Sequence, residues 1–229
     1  GYPCSVYASQ TGDCNLGTGA NEYSDTVRSR PLAADYDNTD AHIAIHTNAY
    51  AGNCYGTSCP NGTITYYDTS SGYGAVGQSL AQNVQNGMIN VIRTQYADST
   101  WRDRGTGDAA GQFAETRIPH RAAILIELAF HDSCDRDALY LQDNFFRSAT
   151  MWGVYKGICG YLGTTPTWDF YSDEYVSDTI PSAMDPGQTV SVSVTFRNRG
   201  VLWNDAKAYS LGAVDNSDPF TTSLRVGIG

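Results

Sequence analysis

Two histidines share one face of an apolar segment. In DAHIAIHTNA, residues 40–49, side chains two apart on a strand project to the same side. His42, Ala44 and His46 therefore face one way, and Ile43 and Ile45 the other. His46 stands near the strand end, where ligand sites open in α/β sheets. Glu127 is the second residue of interest, the one polar side chain in AAILIELAF, residues 122–130. An unpaired buried carboxylate costs several kcal/mol or takes up a proton. An imidazole that binds a metal ion, beside a carboxylate that activates water, is a hydrolytic pairing. The bland alternative is structural: Glu127 paired with an arginine or backbone donors, His46 satisfied locally. His42, further back in the strand, reads as support or packing. His131 either reaches the cleft mouth or caps the turn after the Glu127 strand, and His120 falls in a solvent-accessible connection. No G-x-S-x-G elbow is present, so Ser-His-Asp chemistry is not supported.

Alternating elements must position these groups. Ser5–Ala8 (SVYA) reads as a short strand, followed by a Gly- and Asn-rich loop holding Cys14. Residues 21–36 read as helical turns interrupted by Pro31. The His42/His46 segment and GTITYYDTS (62–70) are strands. From Ser79 to Tyr96 the period becomes helical, with Leu80, Val84, Met88, Val91 and Ile92 on one face. STWRDRGTGDAAG (99–111) reads as a loop. AAILIELAF has the continuous apolarity of a strand covered on both faces, and residues 135–162 form one or two closing helices. The expected fold class is α/β, a layered sheet with helices on both faces. After a linker at 163–171 the helical period disappears. DFYSDEYVSD, TVSVSVTFRN, YSLGAV and SLRVGI read as strands of an all-β sandwich that stops after about four, where a complete one has about seven.

The 229 residues carry a net charge of −10, with 14 Lys and Arg scattered along the chain. No basic stripe marks a nucleic-acid surface, and no run of about eighteen apolar residues marks a membrane span. Six cysteines at positions 4, 14, 54, 59, 134 and 159 form no CxxC pair. Of the fifteen connectivities open to them, nearest-neighbour pairing is expected: Cys4–Cys14, Cys54–Cys59 and Cys134–Cys159. Disulfides point to an oxidising setting, so the chain is expected to be secreted or at the cell surface. It begins at Gly1 without a signal-peptide pattern, as a processed product or a fragment would.

These residues resemble a known family. IAIHTNA is similar to the S-I-H-x-N-A strand end of the zinc-dependent N-acetylmuramoyl-L-alanine amidases, which cleave peptidoglycan. SLAQNVQ resembles their central helix, and Asp103-Arg104-Gly105 their Asn/Asp-Arg-Gly. IPHRAAILIELAF is similar to their v-P-x-x-L-v-E-x-G-F strand, with Ala129 and His131 in place of the usual Gly and Leu. GYPCSVYAS looks like their second strand. The likeness covers about residues 1–162, an amidase-like domain. It implies a zinc cofactor with His46 as the last metal ligand. It also implies that Glu127 is the catalytic carboxylate, and that peptidoglycan is the substrate. In the family the other two ligands, a His and a Glu, precede the Gly-Tyr strand, so the resemblance implies that they lie before Gly1. PGQTVSVSVTFRNRG, Trp203 and YSLGAV resemble the Ig-like module of autophagy cargo receptors, over residues 172–229.

A second function class remains open: a non-catalytic extracellular structural or adhesive protein on a degenerate amidase fold, assembling with itself or a partner by strand addition. A glycosidase needs two opposed carboxylates about 5–9 Å apart, and Glu127 has no evident partner in the sequence.

Overall fold

The structure, a computed structural model, describes residues 1–10, 12, 14, 22–203, 209–212 and 225–227. The Gly- and Asn-rich stretch at 15–21 and parts of YSLGAV and SLRVGI lie outside them. Pro3 precedes a single helical turn, α1 (Cys4–Tyr7), so SVYA and the Gly-Tyr opening are not the strand expected of them. The β-branched and aromatic content that suggested a strand is overridden locally, where the Cys4–Cys14 disulfide bends the chain back. Then α2 (Glu22–Tyr36) runs on through Pro31 as one helix. It is pinned at its C-terminal end: Asp35 accepts hydrogen bonds from the His120 backbone and ring and from Arg121 Nε, at 2.6–2.9 Å.

The sheet comprises β1 (Ala41–Asn48), β2 (Thr63–Tyr67), β3 (Asp103–Asp108) and β4 (Ala122–Phe130), in spatial order β1-β4-β2-β3. Pairing is parallel for β1–β4 and β2–β3 and antiparallel for β2–β4. The sheet is mixed, and β3 lies where the sequence suggested a loop. DRGTGD has no apolar alternation because β3 is a sheet edge, mostly exposed. By contrast β4 is central and buried along nearly its whole length, as its apolar run requires.

One face of the sheet carries the main core. The long helix α3 (Gly74–Thr94) turns Leu80, Val84, Met88 and Ile92 onto Ile124, Ile126 and Leu128 of β4, and Phe146 and Val154 of α6 (Asn144–Tyr161) close the layer. The helices α3 and α6 pack at glycines. A Cβ on Gly87 would come within 2.3 Å of the Gly153 carbonyl oxygen, and one on Gly157 within 2.4 Å of Val84 Cα. Gln85 is buried but fully engaged, accepting from Thr65 Oγ1 and donating to the Thr63 carbonyl and to Asp103 Oδ1. The opposite face of β1 and β4 meets α4 (Ala114–Arg117), which packs in turn on α2. Between β4 and α6 lies α5 (Asp137–Gln142).

Beyond α6 come β5 (Asp173–Asp178) and β6 (Val194–Asn198), paired antiparallel, and β7 (Ser210–Gly212) with β8 (Arg225–Gly227), also antiparallel. Strand structure in TVSVSVTFRN begins only at Val194. Phe170 and Val201 bury against Val91, Phe145 and Ala149, a second apolar cluster on the outer side of α3 and α6. The disulfides Cys4–Cys14 and Cys54–Cys59 are formed as expected. The expected Cys134–Cys159 bridge is not formed: both thiols are free. Cys134 lies in the loop after β4 and Cys159 in the last turn of α6.

Candidate active site

The parallel register of β1 and β4 sets His46 directly beside Glu127. Adjacent strands run about 4.8 Å apart, and register partners share a face. The two residues singled out by type therefore stand side by side, on the face opposite the main core. Immediately beyond them the register slips, Asn48 pairing with Phe130. An extra residue in β4 bends the strand end at the site, as bulges do.

Loops build the rim. Asn48 Oδ1 accepts from the Ala49 amide at 2.8 Å, a local turn that ends β1. Asp132 Oδ2 gathers the amides of Tyr50, Ala51 and Gly52 at 2.6, 3.2 and 3.3 Å. Backbone hydrogen bonds Cys54 N to Asp132 O and Cys134 N to Cys54 O continue the seam, at 2.8 and 2.9 Å. The loop after β1 is thus folded onto the loop after β4. At the His46 end of β1 a cleft of about 500 Å³ lies on the core side of the sheet, lined by Ile45, His46, Thr47, Leu128, Leu141, Arg147 and Met151, and a smaller hollow of about 380 Å³ is lined by Arg30, His42, Ala44 and His46 among others.

Burial lifts the Glu127 carboxyl above the usual carboxylate range. His46 and His131 pull against the rise, and Glu115 adds to it. Its Oε2 is buried and has no hydrogen-bond partner among the described residues. His131 Nδ1 lies 3.0 Å from Thr47 Oγ1, and its amide donates to the Asn48 carbonyl, so it braces the rim. His42 Nε2 is buried without a partner among the described residues, and burial lowers its pKa. Three residues separate it from His46, so the two backbones stand roughly 13 Å apart along β1, and both side chains line the same hollow. His120 is largely exposed and serves Asp35.

The site also contains a residue that no pattern in the sequence singles out. Glu115, in the four-residue α4, is 4% exposed, and its Oε1 stands 3.4 Å from His46 Nε2. Arg30 of α2 is 4.0 Å from the same oxygen. AETR has no periodicity and no spacing motif. Only the fold of α4 onto β1 and α2 brings this carboxylate to the imidazole. An imidazole nitrogen and a carboxylate oxygen thus converge from two elements, with an unpartnered Glu127 oxygen on the adjoining strand. Among the described residues no group of three or more His, Cys, Asp or Glu is arranged to hold a metal ion.

Comparison with known proteins gives the family. Residues 2–160 match the model of the N-acetylmuramoyl-L-alanine amidase family, well over half the chain, and the chain belongs to that family. Among solved structures it is similar to the N-acetylmuramoyl-L-alanine amidase of Clostridium difficile 630, at 25% identity and a TM-score of 0.50, covering 60% of this chain and 65% of that one. It is also similar to the CwlD amidase of Clostridioides difficile, solved in complex with the GerS lipoprotein, at 20% identity and a TM-score of 0.53, covering 66% and 68%. The match thus spans about two thirds of the length of these relatives. No curated protein sequence matches the chain.

Proposed function

We propose that this member of the N-acetylmuramoyl-L-alanine amidase family is a peptidoglycan hydrolase, using zinc to cleave the amide between the lactyl group of N-acetylmuramic acid and L-alanine. The observation that carries the reading is the register pairing of His46 with Glu127 on one face of adjoining strands. His46 would hold the metal. When bound, zinc polarises the scissile carbonyl and acidifies a water. Glu127, its proton affinity raised by burial, accepts the proton of the attacking water on the unengaged Oε2 and delivers it to the departing alanine amine. The folded rim, held by Asp132 and the Cys54 seam, flanks the pair and orients the substrate. A disulfide-bonded chain acting on wall polymer belongs outside the cytoplasm, secreted or at the cell surface. We read residues 172–229 as an Ig-like module appended after the 163–171 linker.

The test is mass spectrometry of purified peptidoglycan digested with the chain and zinc. Peptides with a new L-alanine amino terminus are expected. Glu127→Gln lowers their rate by about 10²–10⁴-fold, and His46→Ala abolishes it. Digestion unchanged in both variants refutes the reading.

The non-catalytic alternative draws on a separate observation: β1 is a sheet edge, hydrogen-bonded only to β4 among the described residues, and exposed edges invite strand addition. It predicts an inactive chain that elutes as an oligomer in size-exclusion chromatography with light scattering. An active monomer rejects it.

A further inference from the structure

We infer that the aromatic hollow beside the C-terminal strands binds a neutral sugar chain, and that it anchors the glycan backbone of peptidoglycan while His46 and Glu127 act elsewhere on the polymer. The choice of glycan rests on the function proposed above; the site stands on its own residues.

Two adjoining hollows meet at Tyr171. The first, of about 440 Å³, is bordered by β5, β6 and β7 and has Tyr171, Phe196, Trp203 and Tyr209 in its walls. The second, of about 570 Å³, runs back over α3 and α6, with Trp152 and Phe170 beside Tyr171. Each falls in the range of about 300–1,000 Å³ that small ligands fill. Tyr171 is 60% exposed, and its ring stands 4.7 Å from Phe170 and 5.7 Å from Tyr209. The rings thus make a continuous aromatic track from one hollow to the next, a form that suits an extended chain better than a compact ligand.

Polar groups edge the rings. Ser172, Asp173, Thr195 and Ser210 share the first hollow, and Asn90, Gln95 and Lys156 the second. Ser172 Oγ accepts from the Asp169 amide at 2.8 Å, which leaves its proton to donate. Tyr209 Oη is buried with no hydrogen-bond partner among the described residues, and a ligand hydroxyl relieves that cost. Aromatic faces edged by hydrogen-bonding groups match a pyranose ring. Its C–H face packs on the negative face of an aromatic ring, and its hydroxyls reach the polar edge. A wholly apolar occupant would strip water from these groups and leave them unpaired. Charge narrows the class further. The lining sets Asp169 and Asp173 against Lys156, in a chain of net charge −10, so a polyphosphate is repelled and a neutral sugar is not. The walls are also fixed in advance. Phe170 is buried against α3 and α6, and the Leu202 amide donates to Ser148 Oγ at 2.9 Å, which lowers the ordering cost of binding. The track lies beyond α3 and α6 from the sheet that carries His46 and Glu127. Holding the polymer at this second point raises its effective concentration at the cleft.

Isothermal titration of the 229-residue chain with peptide-free N-acetylchitohexaose tests the site, with cellohexaose and polyglycerol phosphate as comparison probes. Wild type gives saturable heat with N-acetylchitohexaose, weaker binding of cellohexaose and none of polyglycerol phosphate. Tyr171→Ala and Trp203→Ala each weaken binding about fivefold or more. Tyr209→Phe keeps the ring and weakens binding about two- to tenfold without lowering the melting temperature, a combination that a merely structural tyrosine does not give. On insoluble peptidoglycan Tyr171→Ala releases product more slowly than wild type, while its cleavage of a soluble muramoyl peptide is unchanged. Equal affinity for the two sugars keeps the sugar site and overturns the choice of glycan. No heat from either sugar, or binding unchanged in both Tyr171→Ala and Tyr209→Phe, overturns the inference. So does a dimer that Tyr171→Ala dissolves, which would assign the hollow to a second copy of the chain. Sugar binding by a wild type that cleaves nothing overturns the amidase reading alone, and cleavage without sugar binding overturns this inference alone.

Discussion

His42 and His46 look equivalent in the sequence, two imidazoles on one strand face, and their surroundings separate them. His46 Nε2 meets a carboxylate oxygen at 3.4 Å and lines the cleft. His42 Nε2 is buried with no partner among the described residues. Leaving a buried polar atom unpaired costs about 1–3 kcal/mol, and burial already favours the neutral ring. His42→Leu therefore raises the unfolding free energy by about 1 kcal/mol and leaves metal affinity unchanged. Urea denaturation and zinc titration of the variant check both; a loss of affinity returns His42 to the site. Of the site residues, His46 and Glu127 were legible because each is a polar group set in an apolar strand. Glu115 was not, because neither AETR nor its flanks show why a carboxylate would be buried. Its burial arises from α2 and β1, which lie more than sixty residues earlier in the chain.

Elements were legible where one face is buried and the other is not. The period of α3 and the unbroken apolarity of β4 report their packing directly. By contrast β3 is polar because it is an edge, and α1 is helical against its composition. The placement of α2 depends on a clamp that no pattern announces. Asp35, near its C-terminal end, binds His120 and Arg121 at the start of β4. Burial pushes the Asp35 carboxyl up, but hydrogen bonds from the His120 ring and backbone and from Arg121 outweigh it. Its pKa therefore lies below the ordinary 3.8. A carboxyl depressed in the folded state stabilises the fold above its unfolded pKa, and that stability is lost as pH falls through the folded value. Asp35→Asn is thus expected to cost about 1.5–3 kcal/mol at pH 6, with the gap to wild type closing as the pH drops below 3.8. Thermal melts of both proteins between pH 2 and pH 7 measure it, and a pH-independent gap rules out the charge as its cause. Because α2 also carries Arg30 toward Glu115, the clamp sets the electrostatics of the site as well as the fold.

At the scale of the molecule, the question is whether the amidase fold and the C-terminal strands behave as one body. TTPTW reads as a linker from its threonines and Pro166, yet Phe170 just after it is 7% exposed and Val201 is 2% exposed. Both pack on Val91, Phe145 and Ala149, residues of the two helices that form the layer over the sheet. The Leu202 amide donates to Ser148 Oγ of α6 at 2.9 Å. Val91, Phe145 and Ala149 lie more than twenty residues from Phe170, so its burial against them leaves no local signature in the sequence. With α3 and α6 shared between this cluster and the main core, loss of either core exposes apolar surface on the other, and the two are expected to unfold together. Wild type should show a single calorimetric transition whose width matches its enthalpy. Phe170→Ala, which removes the ring at the centre of the cluster, costs about 3 kcal/mol. It should also split off a lower-temperature transition for the C-terminal strands and open residues 163–169 to proteolysis, while peptidoglycan cleavage persists at temperatures below that first transition. A variant that melts in one step at the wild-type temperature and resists protease would show that the cluster couples nothing, and that the β strands are held by contacts of their own.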